Sequence, residues 1–236
     1  MPSSDKVIFR MDSRLADLSA NLEHFVGVFE EAERFSGPSL YFHLKTLGCL
    51  RNRGSATQAI SSEDLFDWIY ATLASWGMHR MGKGKTKLRD LDVIKASVRA
   101  HATSIASLQD LSLFEISASD IGRVSRDLWK LLSGLTVSIA EAQIVANSKV
   151  LHHLLPRLIP PIDRTYTFNF FYNRNMLSIA EEDAFIEMFS RFHTIAINNR
   201  DIIAGLVGRG WNTSETKVID NAIVGYVIEV LHVSES

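Results

Sequence analysis

The chain has 236 residues, enough for one large domain or two small ones around a substantial buried core. Its 46% hydrophobic and 22% charged residues are ordinary for a globular protein, and 25 basic against 27 acidic residues make it nearly neutral, so any nucleic-acid surface must be local. A single cysteine, Cys49, excludes a disulfide framework or a cysteine-built zinc site, and no run of about eighteen apolar residues exists to cross a membrane.

The opening "MPSSDKVIFRMDSRLADLS" carries charge where a signal peptide needs an apolar run, so a cytoplasmic location is expected. Leu15, Leu18, Leu22, Phe25, Val26 and Phe29 recur at steps of three and four, which predicts one amphipathic helix capped by Ser13 and ended by "FSGPS" at 35–39. An apolar segment follows from Leu40 to Leu50, then a loop over 51–64. Ser61 or Ser62 ahead of Glu63 and Asp64 starts the next helix, which carries Leu65, Trp68, Ile69, Leu73 and Trp76. Further helices are predicted near 90–107, 119–133, 139–155, 164–173, 180–197 and 214–231. In the last of these the β-branched run "IVGYVIEV" leaves a strand as an alternative. The expected architecture is a single all-α domain over 1–236, with two lobes if a boundary falls near 108–118.

Two motifs are set aside. "GMHRMGKGKTK" at 77–87 suggests a phosphate-binding loop, but Gly84 stands where the magnesium-holding hydroxyl belongs, and the shifted register would need a glycine at His79. The adjacent His152 and His153 point about 100° apart on a helix and cannot both face one metal. No metal and no cofactor are expected. The loop is nonetheless strongly basic. Arg80, Lys83, Lys85, Lys87 and Arg89 fall within ten residues with no acid before Asp90, which is either a phosphate-contacting loop or a solvated surface one.

Pro160 and Pro161 stop the helix before them, and Asp163 falls where a helix N-cap belongs. Ahead of that helix stands "LSGLT" at 132–136. A hairpin-like turn, a helix and a Pro-x-Asp turn in this order resemble the helix-hairpin-helix (HhH-GPD) DNA glycosylase superfamily, whose members have an all-α fold of two lobes. There a hairpin L-P-G-φ-G contacts a DNA phosphate through backbone N–H groups, and a P-V-D turn carries the catalytic aspartate. Leu132-Ser133-Gly134-Leu135 matches the start of the hairpin and Pro161-Ile162-Asp163 the turn. Thr136 replaces the second hairpin glycine, and Ser138 stands where lyase-competent members carry a lysine.

The resemblance implies a DNA partner, contacted by Ser133, Gly134 and Thr136 together with the basic loop. It implies Asp163 as the catalytic carboxylate, with Lys149 the only nearby candidate amine and a phosphate contact an equal alternative for that lysine. Trp76, His152 and Tyr166 are the candidates for a pocket receiving a flipped base, with His153 an alternative to His152. The activity expected is monofunctional base excision from modified or damaged DNA, in repair or in antiphage defence. A DNA-binding module without catalysis and a helical protein-interaction domain remain the alternatives.

Overall fold

Helix follows helix along the chain. The computed structural model describes residues 4–33, 35, 37–78, 87–140 and 143–233, with side chains from Met11 onward. In chain order the helices are α1 (Ser4–Ala20), α2 (Leu22–Glu31), α3 (Pro38–Arg53), α4 (Ala56–Ala59), α5 (Glu63–Leu73), α6 (Leu91–Ala100), α7 (Ala102–Leu108), α8 (Ile121–Gly134), α9 (Ile144–Leu154), α10 (Asn169–Tyr172), α11 (Glu181–Asn198), α12 (Arg200–Leu206) and α13 (Glu215–Glu229), with wide turns at Ala74–Met78 and Arg164–Phe168. Among the described residues there is no strand, only the isolated bridges Leu88–Ser138 and Arg209–Asn212. No helix among them is long and apolar enough to cross a membrane.

Several boundaries differ from the sequence expectation, each for a local reason. The first predicted helix is two. The Asn21 carboxamide donates to the Asp17 carbonyl (3.1 Å) and carboxylate (3.0 Å), and Asn21 leaves the helical region at φ −128°. Ser13 lies inside α1 and caps nothing. The predicted helix at 90–107 breaks likewise at His101, whose Nδ1 donates to the Ser97 carbonyl at 2.8 Å. The loop at 51–64 holds the end of α3, stopped by Gly54 at φ +81°, and the short α4, capped by Ser55 Oγ accepting from Gln58 N–H at 3.2 Å. Residues 135–140 are not helical, so α9 begins at Ile144 and not near 139.

The chain divides into two units. One, the split unit, combines 1–34 with 162–236; the other, the continuous unit, is 35–161. Residues 108–118 lie inside the continuous unit, and the chain passes between units at 34/35 and 161/162.

In the split unit α13 is the centre. Every residue from Thr216 to Val227 is buried, the polar Thr216, Lys217, Asp220 and Asn221 included, and the β-branched run is helical. Gly225 lets α2 lie directly against it, because a Cβ at that position would collide with the backbone carbonyl of Phe25. From this crossing a chain of edge-to-face rings runs outward. Phe25 meets Tyr226 at 4.9 Å, Tyr226 meets Phe170 at 5.2 Å, Phe170 meets Phe171 at 5.0 Å, and Phe171 meets Phe192 at 5.4 Å. Each buried phenylalanine contributes about 2 kcal/mol through area removed from water. Arg14 of α1 donates to the carbonyls of Asn169 (2.8 Å) and Phe170 (2.7 Å) and to Asn173 Oδ1 (2.7 Å), tying the two halves of the unit together at the end of α10.

In the continuous unit, α3 and α5 pack against each other and against α9. Leu47, Leu65, Phe66, Ile69, Leu73, Val150 and Leu151 are buried there. α8 carries a one-sided stripe of Val124, Leu128, Leu131 and Leu132 and also packs on α9.

Candidate functional site

The turn between α8 and α9 is built from internal hydrogen bonds. Leu135 N–H donates to the Leu132 carbonyl (3.2 Å), and Thr136 N–H donates to Ser97 Oγ of α6 (2.8 Å). Asn147, fully buried on α9, reaches back with Nδ2 to the carbonyls of Leu132 (2.8 Å) and Leu135 (2.9 Å). The apolar residues of the turn, Leu132, Leu135 and Val137, point inward, whereas Ser133, Gly134 and Thr136 are exposed.

Beside this turn runs the end of the basic segment. Arg89 N–H donates to the Val137 carbonyl (2.8 Å) and Ile139 N–H to the Lys87 carbonyl (2.9 Å), pairing 87–89 antiparallel with 137–139. Buried Ser138 fastens the pair, its Oγ donating to the Lys87 carbonyl at 3.0 Å and accepting from Ala140 N–H at 3.0 Å. Lys87 N–H also donates to the Met78 carbonyl at 3.0 Å, so the two ends of the segment 79–86 are held together. Lys87 and Arg89 are exposed, as is Ile139 at 49%. Arg80, Lys83 and Lys85 lie outside the described residues.

Asp163 belongs to the split unit, two residues after the chain leaves the continuous one. It is half-buried and extended (φ −128°, ψ 147°), and its Oδ1 accepts from Thr165 N–H (2.7 Å) and Tyr166 N–H (3.4 Å). Its own N–H donates to Thr167 Oγ1 (3.0 Å), and its carbonyl accepts from Phe168 N–H (3.1 Å) five residues on, which makes the turn wide. The carboxylate is therefore fixed at the positive end of a short helix, held by Oδ1. Tyr166 follows it but is only 3% exposed, inside the core of its unit.

The remaining candidates gather in the continuous unit. Lys149 of α9, 5% exposed, places Nζ 5.9 Å from the centroid of Trp76, which stands in the turn after α5. Around them are three fully buried histidines: His43 of α3, with His152 and His153 of α9. His153 Nδ1 donates to the Lys149 carbonyl at 2.7 Å, and its Nε2 shares a hydrogen bond with His43 Nδ1 at 2.9 Å. His152 Nδ1 donates to the Ile159 carbonyl at 2.9 Å, and its ring stacks on His43 at 5.8 Å. Trp76 packs on His43 at 5.4 Å and on His153 at 5.1 Å. Trp76, Lys149, His152 and His153 are thus brought together, and Asp163 and Tyr166 form a second group. Among the described residues no three or more of His, Cys, Asp and Glu are grouped to hold a metal. Cys49 is half-buried, with its thiol pushed up first by burial and then by Asp64.

Sequence reasoning missed His43, Ser97 and Asn147. Asn147 had a signal, an amide directly after the apolar "IVA"; Ser97 had none, because its partner lies 39 residues away. Also missed was a buried polar network in the split unit. Lys217 Nζ donates to Asp220 (2.6 Å) and Asn221 (2.6 Å), Asn221 to Asn212 (2.7 Å), and Asn212 to Glu30 (2.9 Å), with the ammonium 5.4 Å from Phe29 and 5.3 Å from Trp211. In comparisons with family models, curated proteins and solved structures, the chain matches none.

Proposed function

We propose that the chain is a DNA N-glycosylase-like enzyme of helix-hairpin-helix type, hydrolysing the bond between deoxyribose and a modified or damaged base. The observation that carries this reading is Asp163: a half-buried carboxylate at the start of a helical turn, behind the stiff Pro160-Pro161-Ile162 approach, with Oδ1 held by two backbone N–H groups. Further support comes from the helical division into two units, the exposed turn before α9 and the exposed cations beside it. In the reaction the C1′–N bond breaks and its electron pair leaves with the base. A carboxylate beside C1′ stabilises the oxocarbenium-like sugar and takes a proton from the attacking water, leaving a free base and an abasic site. A monofunctional enzyme is favoured because Ser138, at the position of the lyase lysine, is buried and engaged with Lys87. Lys149 is then not required as a Schiff-base amine. Repair and defence against phage DNA carrying modified bases are both open to such an activity.

A second reading, a DNA-binding module without catalysis, is favoured by one observation: two N–H bonds to Oδ1 are also what an ordinary N-cap requires. The experiment is a base-release assay on duplexes carrying oxidised, alkylated, deaminated or glucosylated bases, with and without alkali, comparing wild type with Asp163→Asn. Asparagine caps a helix as well as aspartate does, so the variant keeps its fold. Alkali-dependent breaks that fall by about 100-fold or more in the variant are the expected outcome. Release that survives the substitution removes Asp163 from the chemistry, and binding without release on every substrate favours the module.

A further inference from the structure

We infer that the continuous unit grips a nucleic-acid sugar-phosphate backbone through the side chains of Lys87 and Arg89, and not through the backbone N–H groups of the 132–136 turn. The inference rests on the DNA-binding side of the reading above and specifies its device. A turn that holds phosphate by its amides must leave them pointing outward. Here Leu135 N–H is taken by the Leu132 carbonyl, Thr136 N–H by Ser97 Oγ, Ile139 N–H by the Lys87 carbonyl and Ala140 N–H by Ser138 Oγ. Within 132–136 the amides that follow the helix, those of Leu135 and Thr136, are spent on the fold.

The cations beside them are not. The segment 87–89 is extended and paired, so Leu88 turns inward at 3% exposure while Lys87 and Arg89 project together from the other side, about 7 Å apart along the chain. Lys95, Arg99, Arg123, Lys130 and Arg157 of the same unit are each paired with a carboxylate. Among the described residues Lys87 and Arg89 have no such partner, a condition shared in this unit by Lys45, Arg51, Arg53 and Arg126, but these two stand side by side next to the turn. Arg89 is steadied by Nε, which donates to the Ser138 carbonyl at 3.3 Å, leaving its Nη fork uncommitted to any acid. The nearest acids ahead, Asp90 and Asp92, begin α6, and Asp92 already faces Lys95 at 3.7 Å. Exposed Ser133 and Thr136 add hydroxyls of the kind that bond phosphate oxygens. Behind Lys87 the sequence continues Arg80, Lys83 and Lys85 with no acid from 78 to 89. In the sequence, cations with no acid among them fit an anion that repeats along a polymer.

The test is fluorescence anisotropy of the full chain with unmodified double- and single-stranded oligonucleotides over a salt series, for wild type, Lys87→Gln/Arg89→Gln, Lys87→Arg/Arg89→Lys and Ser97→Ala. Melting curves check that each variant is folded. For the Gln pair the affinity should fall by roughly tenfold or more at low salt, and the slope of log K against log salt should shrink by about two contacts' worth. The charge-conserving pair should bind, and Ser97→Ala should leave the slope unchanged. Wild type that binds neither oligonucleotide, or a Gln pair that binds as wild type does, overturns the inference. Ser97→Ala gaining affinity while the Gln pair loses none returns the grip to the turn amides. Polyglutamate or inorganic phosphate competing as well as oligonucleotide overturns the commitment to nucleic acid. Base release is not read here, so its failure would touch the glycosylase reading alone.

Discussion

Asp163 and Asn147 are single residues on which a turn depends, and each invites its own substitution. Replacing Asp163 with Ala removes the acceptor for Thr165 and Tyr166 and should cost about 1 kcal/mol in urea unfolding, while Asn at the same place should cost a few tenths at most. Asn147→Ala strips two bonds from the turn before α9 and should cost about 2 kcal/mol by the same measurement. Glu63 supplies a prediction in pH. Its carboxyl is held down to about 2 by hydrogen bonds from Lys95 and then Arg99. A folded value below the unfolded one means that this contribution is present above the ordinary carboxylate range and is lost as pH falls from there toward 2. Glu63→Gln should therefore lower stability slightly at neutral pH and leave it unchanged near pH 2, flattening the acid side of the curve, with a small effect because the group is exposed. Asp163 was legible because prolines and a cap position mark it in the sequence. The buried His43–His153 contact was not, because nothing local in "YFHLK" announces a partner 110 residues away.

Among the elements, the pairing of α2 with α13 shows what periodicity reveals and what it hides. The three-four spacing of Leu22, Phe25, Val26 and Phe29 correctly marks the buried face of α2. In α13 the helical stripe was present as well, and a strand stayed open only because of the β-branched content of "IVGYVIEV", a local preference that burial of the helix on every side overrides. The breaks at Asn21 and His101 escaped for a different reason: each depends on a side chain drawing a carbonyl out of the helix, and residue type alone does not say when it will. Gly225→Ala tests the crossing. The new methyl would meet the Phe25 carbonyl, a backbone group that cannot swing aside, so a loss of about 3 kcal/mol is expected in thermal or urea unfolding. Ala at Gly205, with open space around it and inside α12, should be neutral or slightly stabilising.

At the scale of the whole molecule, all-helical character was readable from the sequence, but the partition was not. A boundary within a chain shows as a linker only when domains follow one another; here one unit interrupts the other, and its borders at 34/35 and 161/162 depend on pairing between distant segments. Deleting residues 1–33 should therefore damage the far end of the chain. Without α2 and Arg14, α13 loses its cover and α10 its carbonyl partner, and limited proteolysis should cut first within 162–233.

The same interruption imposes a schedule on synthesis. α1 and α2 leave the ribosome early, yet the helix they clasp, α13, is made only after the whole of 35–161 has been translated. Until then Phe25 and Phe29 have no mate, and a chaperone has reason to guard them. A message cut short before residue 215 would yield a product with the continuous unit entire and the apolar face of α2 orphaned, a natural substrate for quality-control proteases.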